Sequence, residues 1–364
     1  MVSKTPLYQQ HIELGAKMVE FAGWSMPIQY QGLREEHINT RNNVGLFDVS
    51  HMGEIRISGE RAEETVDWLT TNNVGRLENG QAQYSLLTND QGGIVDDLII
   101  YCLTKGTEYL LCVNAANIEK DYAWILEHNR GAKISNESPF WGQIAVQGPK
   151  AMDLVAELFS TEVKNIPSFC FQQIKWEQAD CILARTGYTG EDGCEIFISA
   201  EKTTVLWQKL YEMGQKYGVQ PVGLAARDCL RMEMKYSLYG HEIDDHTNPY
   251  EAGLGWVVKP QLKDFVGKAP IMAAKEAGLK NKLIGFKMLD KGIPRQEYSV
   301  LANNGEVIGR VTSGTMSPCL NEGIGIAYVL QEFADEGTEI LIQVRQRRLK
   351  AQVVKTPFVK AGGA

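Results

Sequence analysis

"YSLLTNDQGGIVDDLIIY", residues 84–101, decides the fold. Two runs of strand-forming residues flank a turn made of Asn, Asp and paired glycines, a pattern that predicts two antiparallel strands joined directly. Asp96 and Asp97 interrupt the second run, and a carboxylate buried in an apolar strand is costly unless something compensates it. Side chains alternate along a strand, so Val95, Asp97, Ile99 and Tyr101 are expected on one face and Ile94, Asp96, Leu98 and Ile100 on the other. Only one of the two aspartates then points into a given cavity. Asp97 is the one that shares its face with an aromatic hydroxyl, that of Tyr101.

Outward from this hairpin, helical periodicity appears at residues 33–43, 60–72, 115–129, 149–160, 201–217 and 223–236. Short β-type runs such as "EIRIS", "YLLCVN" and "CEIFIS" lie between them. Strands that follow one another through turns favour an α+β fold with antiparallel sheets over a parallel βαβ array. From about residue 281 the texture becomes β-rich, with an Asn-Gly hairpin signal in "EYSVLANNGEVIGRV" and almost no helix. A separate small β-barrel or sandwich is expected there, with the boundary near "EAGLKN" at residue 276.

The chain has 364 residues, 44% of them hydrophobic and 23% charged, enough for two or three domains with real cores. A formal net charge of -8 gives no support for a nucleic-acid or anionic-membrane binder. Seven scattered cysteines without a C-x-x-C pair fit reduced thiols. The N-terminal "MVSKTPLYQQ" lacks both an apolar h-region and an arginine-rich presequence. A bacterial cytoplasm is expected, or the mitochondrial matrix for a processed eukaryotic chain.

Several chemistries are excluded by their missing motifs. The only Gly-Lys pair, Gly267 and Lys268, is followed by alanine and so is no phosphate-binding loop, and "GLGWVV" and "GIGIAY" lack the third glycine of a dinucleotide fingerprint. No G-x-S-x-G is present. "HEIDDH", His241 to His246, is one residue too long for the zinc-protease pattern and reads as a polar loop, so no metal is expected.

Two further constellations remain. "ARTGYTGEDGCEIF", residues 184–197, places three glycines in seven residues between strand-like runs, which suits either a tight hairpin or a close approach of backbone to a ligand. Glu195 shares a strand face with Phe197 there. In "LAARDCLRMEMKY", Arg227, Arg231 and Met234 fall at i, i+4 and i+7, and two cations on one helix face can clamp an acidic group. The plainer account is an exposed face with Asp228 and Glu233 as partners.

Taken in order, "KMVEFAGWSMPIQY", "VGLFDVSHMGEI", "GGIVDDLIIY", "CVNAANIEKD", "VQGPKA", "RTGYTGEDGCEIF", "GLAARDCLRMEMKYSLYG" and "NPYEAGLGWVVK" resemble the signature blocks of the aminomethyltransferase family, the T-protein of the glycine cleavage system. They run from about residue 5 to 270, and the β-rich end resembles the family's C-terminal barrel. The resemblance implies a three-domain, cloverleaf-like chain: residues 1–275 as a folate-binding region of two interleaved α+β domains with ferredoxin-like sheets, and residues 281–364 as the barrel. It implies transfer of a one-carbon unit from the aminomethyl-lipoyl arm of H-protein to tetrahydrofolate, with release of ammonia, 5,10-methylenetetrahydrofolate and dihydrolipoyl H-protein.

By the same resemblance Asp97 aligns with the family's catalytic aspartate and Asp96 faces elsewhere, hydrogen-bonded as structure. Tyr84, Tyr101, Tyr188 and Trp256 are expected to line the cavity, Asn114 and Glu195 to address the pterin edge, and Arg227 to contact the cofactor. Two relatives of the fold are disfavoured. Folate-accepting domains of sarcosine- and dimethylglycine-oxidising enzymes follow a flavin domain, and folate-binding factors of iron–sulfur assembly carry a "KGCYxGQE"-like block where this chain reads "YSLYGHEI". A non-catalytic folate carrier of the same fold stands as the alternative. The basic run "RQRRLK", residues 345–350, is either the polar exterior of a barrel strand or a meeting point for acidic H-protein or the glutamate tail of folate.

Overall fold

The computed structural model describes residues 2–360 and Gly362. The outer limits of the two expected domains, Met1 and the end of the "AGGA" tail, lie outside the described residues. Among the described residues, four β-systems organise the chain. Strand Gln81–Thr88 pairs antiparallel with Ile94–Thr104, and Glu108–Val113, Gly53–Ser58 and Lys133–Asn136 extend this into a five-stranded sheet. A six-stranded sheet runs Phe171–Trp176, Ala179–Ala184, Gly193–Ser199, Trp141–Gln147, Val44–Asp48 and Val219–Pro221. A small three-stranded sheet lies near the N-terminus, and Asn281–Met288 to Arg347–Val354 close a six-stranded barrel. The fold is α+β. Two pairings depart from the antiparallel expectation: Ser3–Lys4 on Trp24–Gln29, and Val219–Pro221 on Val44–Asp48, are parallel.

The hairpin that the opening stretch predicts is closed by its own side chain. Asn89 Oδ1 accepts the N–H groups of Gln91 at 3.0 Å and Gly93 at 2.9 Å, and Gly92 takes the left-handed φ of +85°. Gly93 then lies so close to the chain at residue 245 that a Cβ would sit 1.7 Å from the Asp245 carbonyl oxygen. Ile94 N–H donates to Asp244 O at 3.1 Å, which fastens the turn to the 241–246 loop. Gly93→Ala is expected to cost about 1–3 kcal/mol or more, because the obstacle is backbone and cannot swing aside. Chemical denaturation of the variant measures it.

Register slips at this turn, since Leu87 faces Asp96 but Thr88 faces Ile94. The bulge corrects the expected faces at the start of the strand. Val95 packs with Leu98, Ile100 and Cys102 against the helices Ala62–Leu69 and Ile118–Glu127, whereas Ile94 packs with Leu86 on the opposite side. The opposite side of the five-stranded sheet meets the six-stranded sheet through Tyr101, Leu103, Leu110, Phe171, Ile182 and Phe197. Helices Ala151–Leu158 and Ala200–Gly214 cover the far side of the six-stranded sheet.

All six expected helices form; Leu33 begins its helix where expected, Ala200 begins one a residue early, and the other ends fall one to three residues inside the periodic stretches. Two further helices, Tyr8–Glu13 and Lys268–Ala277, lie outside the expected stretches, and each buries a single side chain, His11 and Ile271. The second runs past residue 275, so a boundary set there falls inside a helix. At the barrel hairpin predicted from Asn-Gly, Gly305 adopts φ +89° and Gly305 N–H donates to Ala302 O at 2.9 Å. The basic run forms the exposed turn into the last strand, with Leu349 and Ala351 inward and Arg348 and Lys350 outward. Among the described residues, no helix is long and apolar enough to cross a membrane.

Candidate functional site

A cavity of about 1010 Å³ opens where the parts meet. Its lining draws Val19–Ala22 from the N-terminal sheet, Tyr84 and Asp97 from the five-stranded sheet, Gln143 and Glu195 from the six-stranded sheet, and Gly314 and Thr315 from the barrel. Seven of the eight residues expected at the site line it: Tyr84, Asp97, Asn114, Tyr188, Glu195, Arg227 and Trp256. Tyr101 does not. It is fully buried between the two sheets, edge-on to Phe171 and Phe197 at 5.5 and 5.4 Å, and its hydroxyl lies 3.3 Å from Thr186 Oγ1. Thr186 in turn donates to Glu195 at 2.6 Å, so Tyr101 supports the wall from behind.

The two neighbouring aspartates divide as alternation requires. Asp97 accepts the Tyr84 hydroxyl at 2.9 Å and Asn114 Nδ2 at 2.8 Å, and lines the cavity. Asp96 points the other way, fully buried, and accepts Asn114 N–H and Nδ2 at 2.9 Å each and Asn117 Nδ2 at 2.6 Å. Asn114 thus clamps both carboxylates. Burial pushes Asp97 up to about 7, with the adjacent Asp96 charge adding to it and the Tyr84 and Asn114 hydrogen bonds opposing it. Behind them, burial and then the Asp96 charge push Asp121 up to about 11, which keeps it protonated at neutral pH.

Two aromatic stacks line the cavity together with Asp97. Trp256, 59% exposed, stacks on Tyr84 with centroids 5.8 Å apart and planes at 17°. Tyr188 stacks on Tyr236 at 5.8 Å and donates its hydroxyl to the Ser237 carbonyl. Arg227 lies over the Tyr188 ring, 4.8 Å from its centroid. Burial lowers the Arg227 pKa and the Glu195 charge opposes this, while burial raises Glu195 and Thr186 and Arg227 draw it back. The two form a second charged pole in the cavity. His51 lines the same cavity as a neutral imidazole, lowered to about 4 chiefly by burial.

The helix Leu224–Glu233 does not present an exposed arginine face. Arg231 is 1% exposed and binds Glu242 at 2.7 Å, Asp228 at 2.8 Å and Ser313 Oγ at 2.8 Å. Glu233 is buried on another side and pairs with Arg41 at 2.7 Å. "HEIDDH" is a loop as predicted, but Glu242 is committed to Arg231, and His241 faces Ser313 at 3.3 Å. One group, His37, Cys229 and Glu233, brings three potential metal-ligating atoms within 4.8 Å of one another. Arg41 and Ser317 already satisfy that glutamate, which makes it an ion-pair centre.

Asn117, Asp121, Thr186 and His51 escape sequence inspection. Asp121 alone left a legible trace, because an acid between Ile118 and Ile125 lies on the apolar stripe of its helix, where only a compensated carboxyl belongs.

The family model of the GCVT N-terminal domain matches residues 7–261, and that of the glycine cleavage T-protein C-terminal barrel domain matches residues 281–360. The chain belongs to the glycine cleavage T-protein family. An aminomethyltransferase of Bdellovibrio bacteriovorus is 59% identical over 98% of this chain and 99% of that protein. One of Halothermothrix orenii is 46% identical over 98% and 100%. The crystal structure of glycine cleavage system aminomethyltransferase T from Bartonella henselae, 31% identical, superposes with a TM-score of 0.91 over 99% of both chains. This T-protein family member is therefore an enzyme, a transferase of the aminomethyl class.

Proposed function

We propose that the cavity binds tetrahydrofolate as the one-carbon acceptor and that Asp97 is the catalytic carboxylate. The observation that carries this reading is that an ionisable acid, with a pKa near 7, and two stacked aromatic pairs line one cavity large enough for a drug-sized ligand. A pterin presents flat faces and a guanidine-like edge of N–H donors. The Tyr84–Trp256 and Tyr188–Tyr236 stacks suit the faces, and the carboxylate of Glu195 suits the edge. In the transfer, the aminomethyl carbon leaves sulfur for a folate nitrogen and ammonia departs. Asp97, held by Tyr84 and Asn114, stabilises the positive charge that develops beside it and orients the reacting N–H. Asp96 adds negative charge behind it without entering the cavity.

The donor in this reading is the aminomethylated lipoyl arm of H-protein, and the products are 5,10-methylenetetrahydrofolate, ammonia and dihydrolipoyl H-protein. Family membership and the open cavity support it. A bacterial cytoplasm suits the seven free thiols. The test is ammonia release from aminomethylated H-protein with and without tetrahydrofolate. Release that accelerates with folate and matches methylenetetrahydrofolate formed supports the proposal. Tight folate binding without release would move the protein to the carrier class.

A further inference from the structure

We infer that Lys235 binds an anionic group of the cavity's ligand, the glutamyl carboxylates if that ligand is the folate proposed above, on which this inference rests. Lys235 follows the helix Leu224–Glu233 and its C-cap residue Met234. Its N–H donates to Met232 O at 2.9 Å, and Tyr236 N–H donates to Arg231 O at 2.9 Å. These two bonds define a Schellman ending, in which the residue at the Lys235 position takes a left-handed conformation and is usually glycine. Lys235 adopts φ +57°. A side chain in this conformation is disfavoured, and something other than helix termination has to account for a lysine here.

Among the described residues the ammonium has no partner. Lys235 lines the cavity but makes no ion pair or side-chain hydrogen bond with any described residue, including the carbonyls of its own helix end. The acid acting on it, Glu242, is fully occupied by Arg231 Nη1 at 2.7 Å, Thr312 Oγ1 at 2.6 Å and Leu238 N–H at 3.0 Å. Burial lowers the Lys235 pKa, and Lys282 adds like charge. The other cavity cations differ. Arg231 is committed to its ion pairs. Arg227 and Arg295 also line the cavity without an ion pair among the described residues, but Arg227 lies against the Tyr188 ring and the Glu195 charge, and Arg295 is exposed on a segment of the barrel region.

The location suits a tail. Tyr236 and Ser237, the next two residues, hold Tyr188 by stacking and by accepting its hydroxyl. A ligand whose ring lies among these aromatics brings its substituent past the same segment. A half-buried ammonium there supplies a charge-assisted bond to a carboxylate. Each added glutamate extends the supply of anions, so longer polyglutamates are expected to bind more tightly.

The experiment measures equilibrium binding, by calorimetry, of tetrahydrofolate, its triglutamate and tetrahydropteroate, which lacks glutamate. The proteins are wild type, Lys235→Met, Lys235→Gly and Lys235→Arg. Wild type is expected to favour tetrahydrofolate over tetrahydropteroate by roughly 5- to 20-fold. Lys235→Met and Lys235→Gly are expected to erase most of that ratio while binding tetrahydropteroate as wild type does, and Lys235→Arg to restore part of it. Lys235→Gly is also expected to melt at or above the wild-type temperature, which separates lost affinity from lost fold. Unchanged ratios in Lys235→Met and Lys235→Gly overturn the inference and leave the folate reading intact. Failure of all three ligands to bind wild type overturns the folate reading, and this inference with it.

Discussion

Asp97→Asn is expected to lower turnover by about 10²- to 10⁴-fold while folate affinity changes little, since the amide keeps the shape of the acid and loses its charge. The fold is expected to gain. Asp97 carries a folded pKa of about 7, above its ordinary value, chiefly through burial. Between roughly pH 4 and that value the folded state therefore holds a proton that the unfolded state releases, and stability falls as pH rises. Once the folded carboxylate ionises, the penalty is complete and constant. The variant lacks this penalty, so at pH 8 it is expected to melt at a higher temperature than wild type, with the gap closing towards pH 4. Loss of activity together with loss of stability at pH 8 would mean that Asp97 is part of the scaffold. Melting curves at three pH values distinguish the two.

Arg231→Met is expected to destabilise the protein by about 3–5 kcal/mol, the usual consequence of removing one member of a buried ion pair. The partner left behind, Glu242, is 0% exposed and retains Leu238 N–H and the hydroxyls of Thr312 and Ser313. Burial pushes Glu242 up, but Arg231 with these hydrogen bonds outweighs it and holds the acid below its ordinary value. A depressed carboxylate stabilises above its unfolded pKa, and that contribution disappears as pH falls through the folded one. The wild-type advantage over Arg231→Met is therefore expected to be full at neutral pH and to shrink in acid. Adding Glu242→Gln to Arg231→Met is expected to recover part of the loss, because no buried charge then stands alone. Urea denaturation of the two single variants and the double variant measures the coupling. A loss below about 1 kcal/mol in Arg231→Met would contradict the account, since that is the range of an exposed pair.

What could be read without the structure was local. The hairpin at residues 84–101 is encoded by its turn, and the separation of Asp96 from Asp97 follows from strand alternation, which holds from Asp96 to Tyr101. Alternation fails at Val95, where the register slips beside a turn packed against Asp245, a contact distant in sequence that no local pattern reveals. Tyr101 shares the face of Asp97 but lies four residues along a strand, roughly 13 Å away at 3.3 Å per residue, where the cavity has given way to the core between sheets. Arg231 reads as a surface cation because its partners, Glu242 and Ser313, come from a loop and a barrel strand. Lys235 carries no pattern at all. Its place becomes visible only once the helix ending and the cavity wall are seen to be the same residues.

The central claim is that the ionised Asp97 carboxylate performs the transfer, and the pH dependence of a single turnover tests it most directly. With aminomethylated H-protein and tetrahydrofolate both saturating, the wild-type rate is expected to fall as pH drops below about 7, where Asp97 takes up a proton, and to level off above it. The residual rate of Asp97→Asn is expected to show no such break. A wild-type profile that stays flat through this range, or a break that persists unchanged in Asp97→Asn, would contradict the claim and assign the chemistry to another group.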